Sequence, residues 1–148
     1  MKRIHIGLDV KDIEKSVAFY SNLFGAEPSL RRDDYAKWML EDPRVNFTIT
    51  SGRCGAGDVH FGIQVESQED LADVAGRLKG AGEAVLDEPD AVCCYHTSEK
   101  AWVLDPESFR WETFFTTGLA TAYGENNQEL EEMRSAKKNA QTVCCSGS

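Results

Sequence analysis

One short pattern occurs twice in this chain and constrains its fold more than any other feature. His5-Ile6-Gly7-Leu8-Asp9-Val10 returns as His60-Phe61-Gly62-Ile63-Gln64-Val65, an offset of 55 residues. Both copies read His-x-Gly, then Leu or Ile, then x-Val. The register persists beyond the strand, since Gly25-Ala26 is matched by Gly80-Ala81 and Leu30 by Val85 at the same offset. A shared offset at separated landmarks marks an internal duplication. A duplicated module brings two equivalent histidines towards one pseudo-two-fold axis, and two histidines so delivered are half of a metal site.

Each copy reads as strand, helix, then two or three strands. Residues 3–10 alternate with a period of two, Ile4, Ile6, Leu8 and Val10 against Arg3, His5, Gly7 and Asp9, which predicts a strand with one apolar face. Asp12 is the expected N-cap of a helix carrying Ile13, Val17, Phe19, Tyr20, Leu23 and Phe24, stopped by Gly25. Residues 28–34 are an irregular or short-strand link. A hairpin follows, 35–40 and 45–50, around the turn Glu41-Asp42-Pro43-Arg44. The linker Ser51 to Gly57 leads to the second copy, with a strand over 58–66, Ser67 as cap and a helix over about 68–79. Gly80 to Gly82 stop that helix, and a strand over 83–87 comes next. Residues 87–98 read as a long loop, followed by strands from Lys100 to Asp105 and from Arg110 to Thr116. The predicted class is α+β, two tandem βαβββ modules forming a cupped mixed sheet with helices outside. The modules span 1–52 and 57–118 within a domain over 1–118. Residues 119–148 are expected to form a peripheral helix, over about 126–139, and a flexible cysteine-containing tail.

A net charge of −9 argues against a nucleic-acid partner. No run approaches the ~20 apolar residues of a membrane span, and Met1-Lys2-Arg3 leading straight into a strand is no signal peptide. A soluble cytoplasmic protein is expected, monomer or homodimer, since both modules lie in one chain. The cysteines are Cys54, Cys93-Cys94 and Cys144-Cys145. An odd count without a secretory signal does not suggest a disulfide framework. Adjacent cysteines make poor staples and are better suited to holding one large soft atom between two sulfurs.

Three residues could hold a metal. His5 and His60 lie opposite the aliphatic set at equivalent positions of the repeat, which favours ligation over two separately satisfied imidazoles. Glu112, in Arg110-Trp111-Glu112-Thr113-Phe114-Phe115, is a carboxylate among aromatics. On an interior strand it is costly to bury without a cation; on an edge strand it is a surface charge. Two histidines and a carboxylate form the facial triad of non-haem Fe(II) oxygenases, with open positions for dioxygen and substrate. The first-copy counterpart, Val45-Asn46-Phe47-Thr48-Ile49-Thr50, offers no Glu, Asp or His. Asp9, Asp58, Glu66 and His96 remain as substitute ligands. Cys93 and Cys94 are either small buried hydrophobes or a chelating pair for a thiophilic centre such as trivalent arsenic or Cd(II), with His96 near enough in sequence to influence a thiol. Cys144-Cys145 either captures soft ions or does nothing.

The paired units resemble the vicinal oxygen chelate superfamily over about residues 3–117. Ser16-Val17-Ala18-Phe19-Tyr20-Ser21-Asn22-Leu23-Phe24-Gly25, following the opening strand, is typical of it. Cys93-Cys94-Tyr95 with Ala101-Trp102-Val103-Leu104-Asp105-Pro106-Glu107 and Arg110-Trp111-Glu112 is similar to the organoarsenical carbon–arsenic lyases and the related cadmium-induced proteins. The resemblance implies Fe(II)- and dioxygen-dependent cleavage of the C–As bond of methylarsenite and aromatic arsenicals to arsenite. It also implies His5, His60 and Glu112 as iron ligands and catalytic residues, and Cys93 with Cys94 as the substrate-binding pair. The alternatives are a non-catalytic protein sequestering Cd(II) or arsenite, and another reaction on the same scaffold, such as a ring-cleaving dioxygenase.

Overall fold

A computed structural model describes the chain apart from residues 53–57, 94, 123, 125, 126 and 146–148; residues 141–145 are described by their backbone alone. Most of the expected linker, with Cys54, therefore lies outside the described residues. In chain order the elements run β1 (Arg3–Val10), α1 (Ile13–Phe24), β2 (Leu30–Arg32), β3 (Tyr35–Glu41), β4 (Arg44–Ser51), β5 (Val59–Gln64), α2 (Gln68–Gly80), β6 (Leu86–Cys93), β7 (His96–Leu104), β8 (Arg110–Leu119) and α3 (Gln128–Cys145). This is βαβββ twice over with one helix appended, so the expected α+β class and tandem order hold. Two compact units divide it, Met1–Gln64 and Val65–Ser148.

In the first unit the strands lie in the order β2-β3-β4-β1-β5. β1 is parallel to β4, and the other neighbours are antiparallel. β5 opens the second sequence copy yet belongs to this unit, because its ladder with β1 ties it there. Asp12 caps α1 by accepting the Lys15 N–H at 3.0 Å, and Gly25 ends the helix at φ 63°, a left-handed conformation that glycine adopts without a Cβ clash. The apolar side of α1, with Val17, Tyr20 and Phe24, packs on Ile6, Leu8 and Val10 of β1 and on Trp38, Phe47 and Ile49. Trp38 is fully buried, and its indole N–H reaches the Ala26 carbonyl at 3.0 Å. Burying an aromatic ring so completely stabilises by several kcal/mol, and truncating one to alanine costs roughly 3–5 kcal/mol.

The aliphatic side of β1 therefore faces the helix, as its alternation predicts, but it is not the deeper side. Ile6, Leu8 and Val10 are half-buried and Ile4 is 48 % exposed, whereas His5 is 4 % and Asp9 7 % exposed. Polar side chains are buried this deeply only where partners or a ligand repay the lost hydration.

In the second unit β6, β7 and β8 form an antiparallel meander with β7 in the middle. Ser67 caps α2 through the Asp70 N–H at 3.1 Å, and Leu71, Val74 and Ala75 form its buried side. Trp102, Leu104 and Leu130 make a small core with Leu86 and Met133. α3 is anchored on it by Leu130, by the Arg110–Glu131 ion pair at 2.7 Å and by Lys137 Nζ donating to the Leu104 carbonyl at 3.0 Å.

Two expectations change here. The stretch 87–98 is a hairpin rather than a long loop, since β6 continues to Cys93 and β7 starts at His96. Pro89, which has no N–H to donate, and Asp90, at φ 52°, hide the strand from a pattern reading. The β6–β7 register shifts between Glu88 and Ala91, which is how the ladder absorbs them. The backbone of α3 also continues to Cys145, past the expected helix end. No helix among the described residues is long and apolar enough to cross a membrane.

Candidate metal and thiol site

The duplicated His-x-Gly pattern acquires its meaning in the β1–β5 ladder. Because the two copies run antiparallel, His5 faces Gly62 and Gly7 faces His60. Each imidazole thus stands across from the other copy's glycine. A Cβ on Gly7 would overlap the His60 ring, so that ring lies where only glycine leaves room. The outcome is two imidazoles meeting edge to edge, Nε2 to Nε2 at 3.1 Å, with ring centroids 5.1 Å apart.

The tautomer of His5 follows from its other nitrogen. His5 Nδ1 lies 3.0 Å from the Asn46 carbonyl, which can only accept, so Nδ1 carries the proton and Nε2 keeps its lone pair. Fixing one ring nitrogen by a backbone carbonyl is how metal-binding histidines are commonly oriented. Two imidazole nitrogens each about 2.1 Å from one ion and at right angles would stand about 3.0 Å apart. The observed separation fits that edge. Asn46, opposite His5 in the ladder, donates from Nδ2 to Gln64 Oε1 at 3.1 Å. Its Oδ1 is buried without a hydrogen-bond partner among the described residues, a spare acceptor beside the histidines of the kind an incoming ligand satisfies. Neutral nitrogen donors with a leftover acceptor suit a divalent transition metal.

Glu112 belongs to the second unit and is 3 % exposed, so the surface-charge alternative does not hold. Its Oε2 accepts from Lys100 Nζ at 2.8 Å, and Lys100 is 7 % exposed, with its ammonium 5.3 Å from the Trp102 ring centroid and 5.7 Å from that of Phe114. The pattern reading missed Lys100. The available signal was its alternation along β7 with Ser98, Trp102 and Leu104, all buried, which puts it on that strand's buried side. A buried carboxylate without a cation would be costly, and Lys100 supplies one.

Cys93 is half-buried at the end of β6 and pairs across the turn with His96. Cys94 and Cys54 lie outside the described residues, as do the side chains of Cys144 and Cys145, whose backbone is in α3. Of the substitute ligands, Asp9 is buried on the His5 side of β1, Asp58 and His96 are half-buried, and Glu66 is exposed. Sequence order thus brings His5 and His60 together in one unit, and places Cys93, Lys100 and Glu112 in the other.

The family model of the glyoxalase/bleomycin resistance protein/dioxygenase superfamily matches residues 2–113. The chain belongs to this superfamily. Within it, a trivalent organoarsenical cleaving enzyme of Bacillus sp. (strain MD1) is 45% identical over 119 residues, 78% of this chain and 74% of that one. The cadmium-induced protein CadI of Mycobacterium tuberculosis is 29% identical over 148 residues, 99% of this chain and 95% of its own length. An extradiol ring-cleaving dioxygenase from B. fuscum matches with a TM-score of 0.60 at 21% identity, over 80% of this chain and 33% of that one. That last likeness concerns the fold alone.

Proposed function

We propose that this superfamily member is an Fe(II)- and dioxygen-dependent carbon–arsenic lyase that converts trivalent organoarsenicals, methylarsenite and aromatic arsenicals, to arsenite. The observation that carries the reading is the facing pair of imidazole nitrogens 3.1 Å apart, built from a repeated motif in a chain 45% identical to an organoarsenical cleaving enzyme. His5, His60 and Glu112 would hold the iron, three protein ligands that leave positions for other groups. Bound there, iron would supply the activation of dioxygen that side chains cannot provide themselves.

The chain's own residues do the rest. The backbone carbonyl of Asn46 keeps the lone pair of His5 Nε2 turned towards His60. Lys100 pairs with Glu112 through Oε2 and so keeps the buried carboxylate charged. Cys93 and Cys94 bind the arsenical through arsenic, each thiol giving its proton to the hydroxide it displaces as water. Two sulfur bonds fix the arsenic and orient its carbon substituent, so that reaction becomes effectively intramolecular, an advantage of up to several kcal/mol.

Anaerobic protein loaded with Fe(II) and methylarsenite should release arsenite only after air is admitted. A second reading is favoured by the CadI relatives, namely a protein that sequesters Cd(II) or arsenite through its thiols. In that case arsenite or Cd(II) would bind stoichiometrically, and methylarsenite would remain intact in air.

A further inference from the structure

The hairpin that carries Cys93 is held on one side by the end of β8 and the chain that follows it. Three contacts make the hold. Ala120 N–H donates to the Tyr95 carbonyl at 2.8 Å, just past the turn. Thr117 Oγ1 donates to Thr97 Oγ1 at 3.1 Å, on the second residue of β7, where the β7–β8 register shifts between Thr97 and Ser98. Gly124 then lies directly on the backbone of β6 beside the cysteine. A Cβ there would collide with the Val92 carbonyl and stand 3.2 Å from the Cys93 nitrogen.

Gly124 sits at φ 92°, a conformation L side chains rarely adopt, so its identity is set twice, by backbone strain and by close approach. The atoms it would displace are backbone atoms in a ladder, which cannot rotate aside. The turn itself is strained, with Tyr95 at φ 61°. Strained positions persist only where surrounding contacts hold them. Thr117, Ala120 and Gly124 supply such contacts, and Leu130, buried in the core with Trp102 and Leu104, fixes the chain shortly beyond.

We propose that Gly124 is a positioning residue for thiol ligation: its bare backbone, seated on Val92, sets the place of Cys93 and so of the thiol that it offers to a trivalent arsenic centre. This rests on the reading that Cys93 and Cys94 form the arsenic site. Chelation of one arsenic atom by two sulfurs is geometrically demanding, while the β1–β5 histidines lie in another unit.

The test uses the full chain with Cys54→Ser, Cys144→Ser and Cys145→Ser, so that only the hairpin thiols can bind. Arsenite affinity by equilibrium dialysis, Co(II) affinity and the thermal midpoint are measured with and without Gly124→Ala. The substitution should weaken arsenite binding about tenfold or more while Co(II) affinity stays within about twofold. Unchanged arsenite affinity would overturn the proposal. Should Gly124→Ala lower Co(II) affinity and midpoint together, Ala120→Pro, which deletes the N–H bonded to Tyr95, is measured in the same way. Selective loss of arsenite binding there supports the clamp, and any other pattern overturns it. Cys93→Ser separates the two layers: if arsenite still binds after that change, the arsenic-site reading fails rather than the clamp.

Discussion

The two imidazoles of the first unit and the buried carboxylate of the second are placed by different means. His5 and His60 are placed by backbone, through an antiparallel register that puts each ring across from a glycine and a carbonyl that fixes one tautomer. Glu112 is placed by another side chain, Lys100, with which it forms a buried pair flanked by Trp102 and Phe114. A backbone-set group needs no further charge to stay folded, because a neutral imidazole is cheap to bury once hydrogen-bonded. A carboxylate placed by a lysine keeps its position only while that cation remains. The first kind of site should tolerate loss of its ligand atoms, and the second should unravel on loss of its partner.

The largest expected effect comes from removing a donor outright. His60→Ala should abolish metal binding, measured as metal per chain after anaerobic loading, and should leave arsenite bound by the hairpin thiols. The fold should survive, since the ring is not part of the α1 core. A chain that still retains one metal ion per molecule after this change would sever the histidine pair from the proposed chemistry.

Lys100→Met comes next and acts on stability first. It leaves Glu112 buried without its partner, and breaking one side of such a pair costs about 3–5 kcal/mol. The metal-free variant should therefore lose unfolding free energy of that order, read as a lower denaturant midpoint at unchanged m-value, whereas His60→Ala should not. If both shift the midpoint equally, the distinction between backbone-set and side-chain-set halves is lost.

These two cases also show what a pattern reading can reach. The histidines were legible because a duplication repeats them at one offset, and the register that pairs the copies repeats the glycine as well. Asp12, Ser67 and Gly25 were legible because caps use a small set of residues at fixed places. Lys100 was not, because a lysine in a strand reads as solvated and nothing in its immediate neighbours announces a carboxylate two strand positions away on β8. The β6–β7 hairpin was hidden for a local reason. Pro89 and Asp90 break the alternation, and only the bulge in the ladder shows that the strand continues through them to Cys93.

A smaller effect tests the backbone half directly. Gly7→Ala keeps every donor but fills the space under the His60 ring. Disturbing the groups that orient a metal ligand typically costs 10–100-fold in metal affinity, and a loss of about tenfold in Co(II) affinity is expected here. No change would mean that His60 is held by something other than the bare glycine.

The smallest effects concern the helix caps, which the duplication also places in register, Asp12 before α1 and Ser67 before α2. Ser67→Ala should cost about 1 kcal/mol without touching metal affinity. Asp12 differs by carrying charge. Hydrogen bonding from the Lys15 backbone, then from the Lys15 side chain, holds its carboxyl below the ordinary value of 3.8. A depressed carboxylate contributes stability that is present above its unfolded value and is lost as pH falls through the folded one. The gap in thermal midpoint between wild type and Asp12→Ala should therefore be constant from neutral pH down to about 4, and should narrow in more acid solution. A gap that persists unchanged well below pH 3.8 would show that this cap acts through its shape alone and not through its charge.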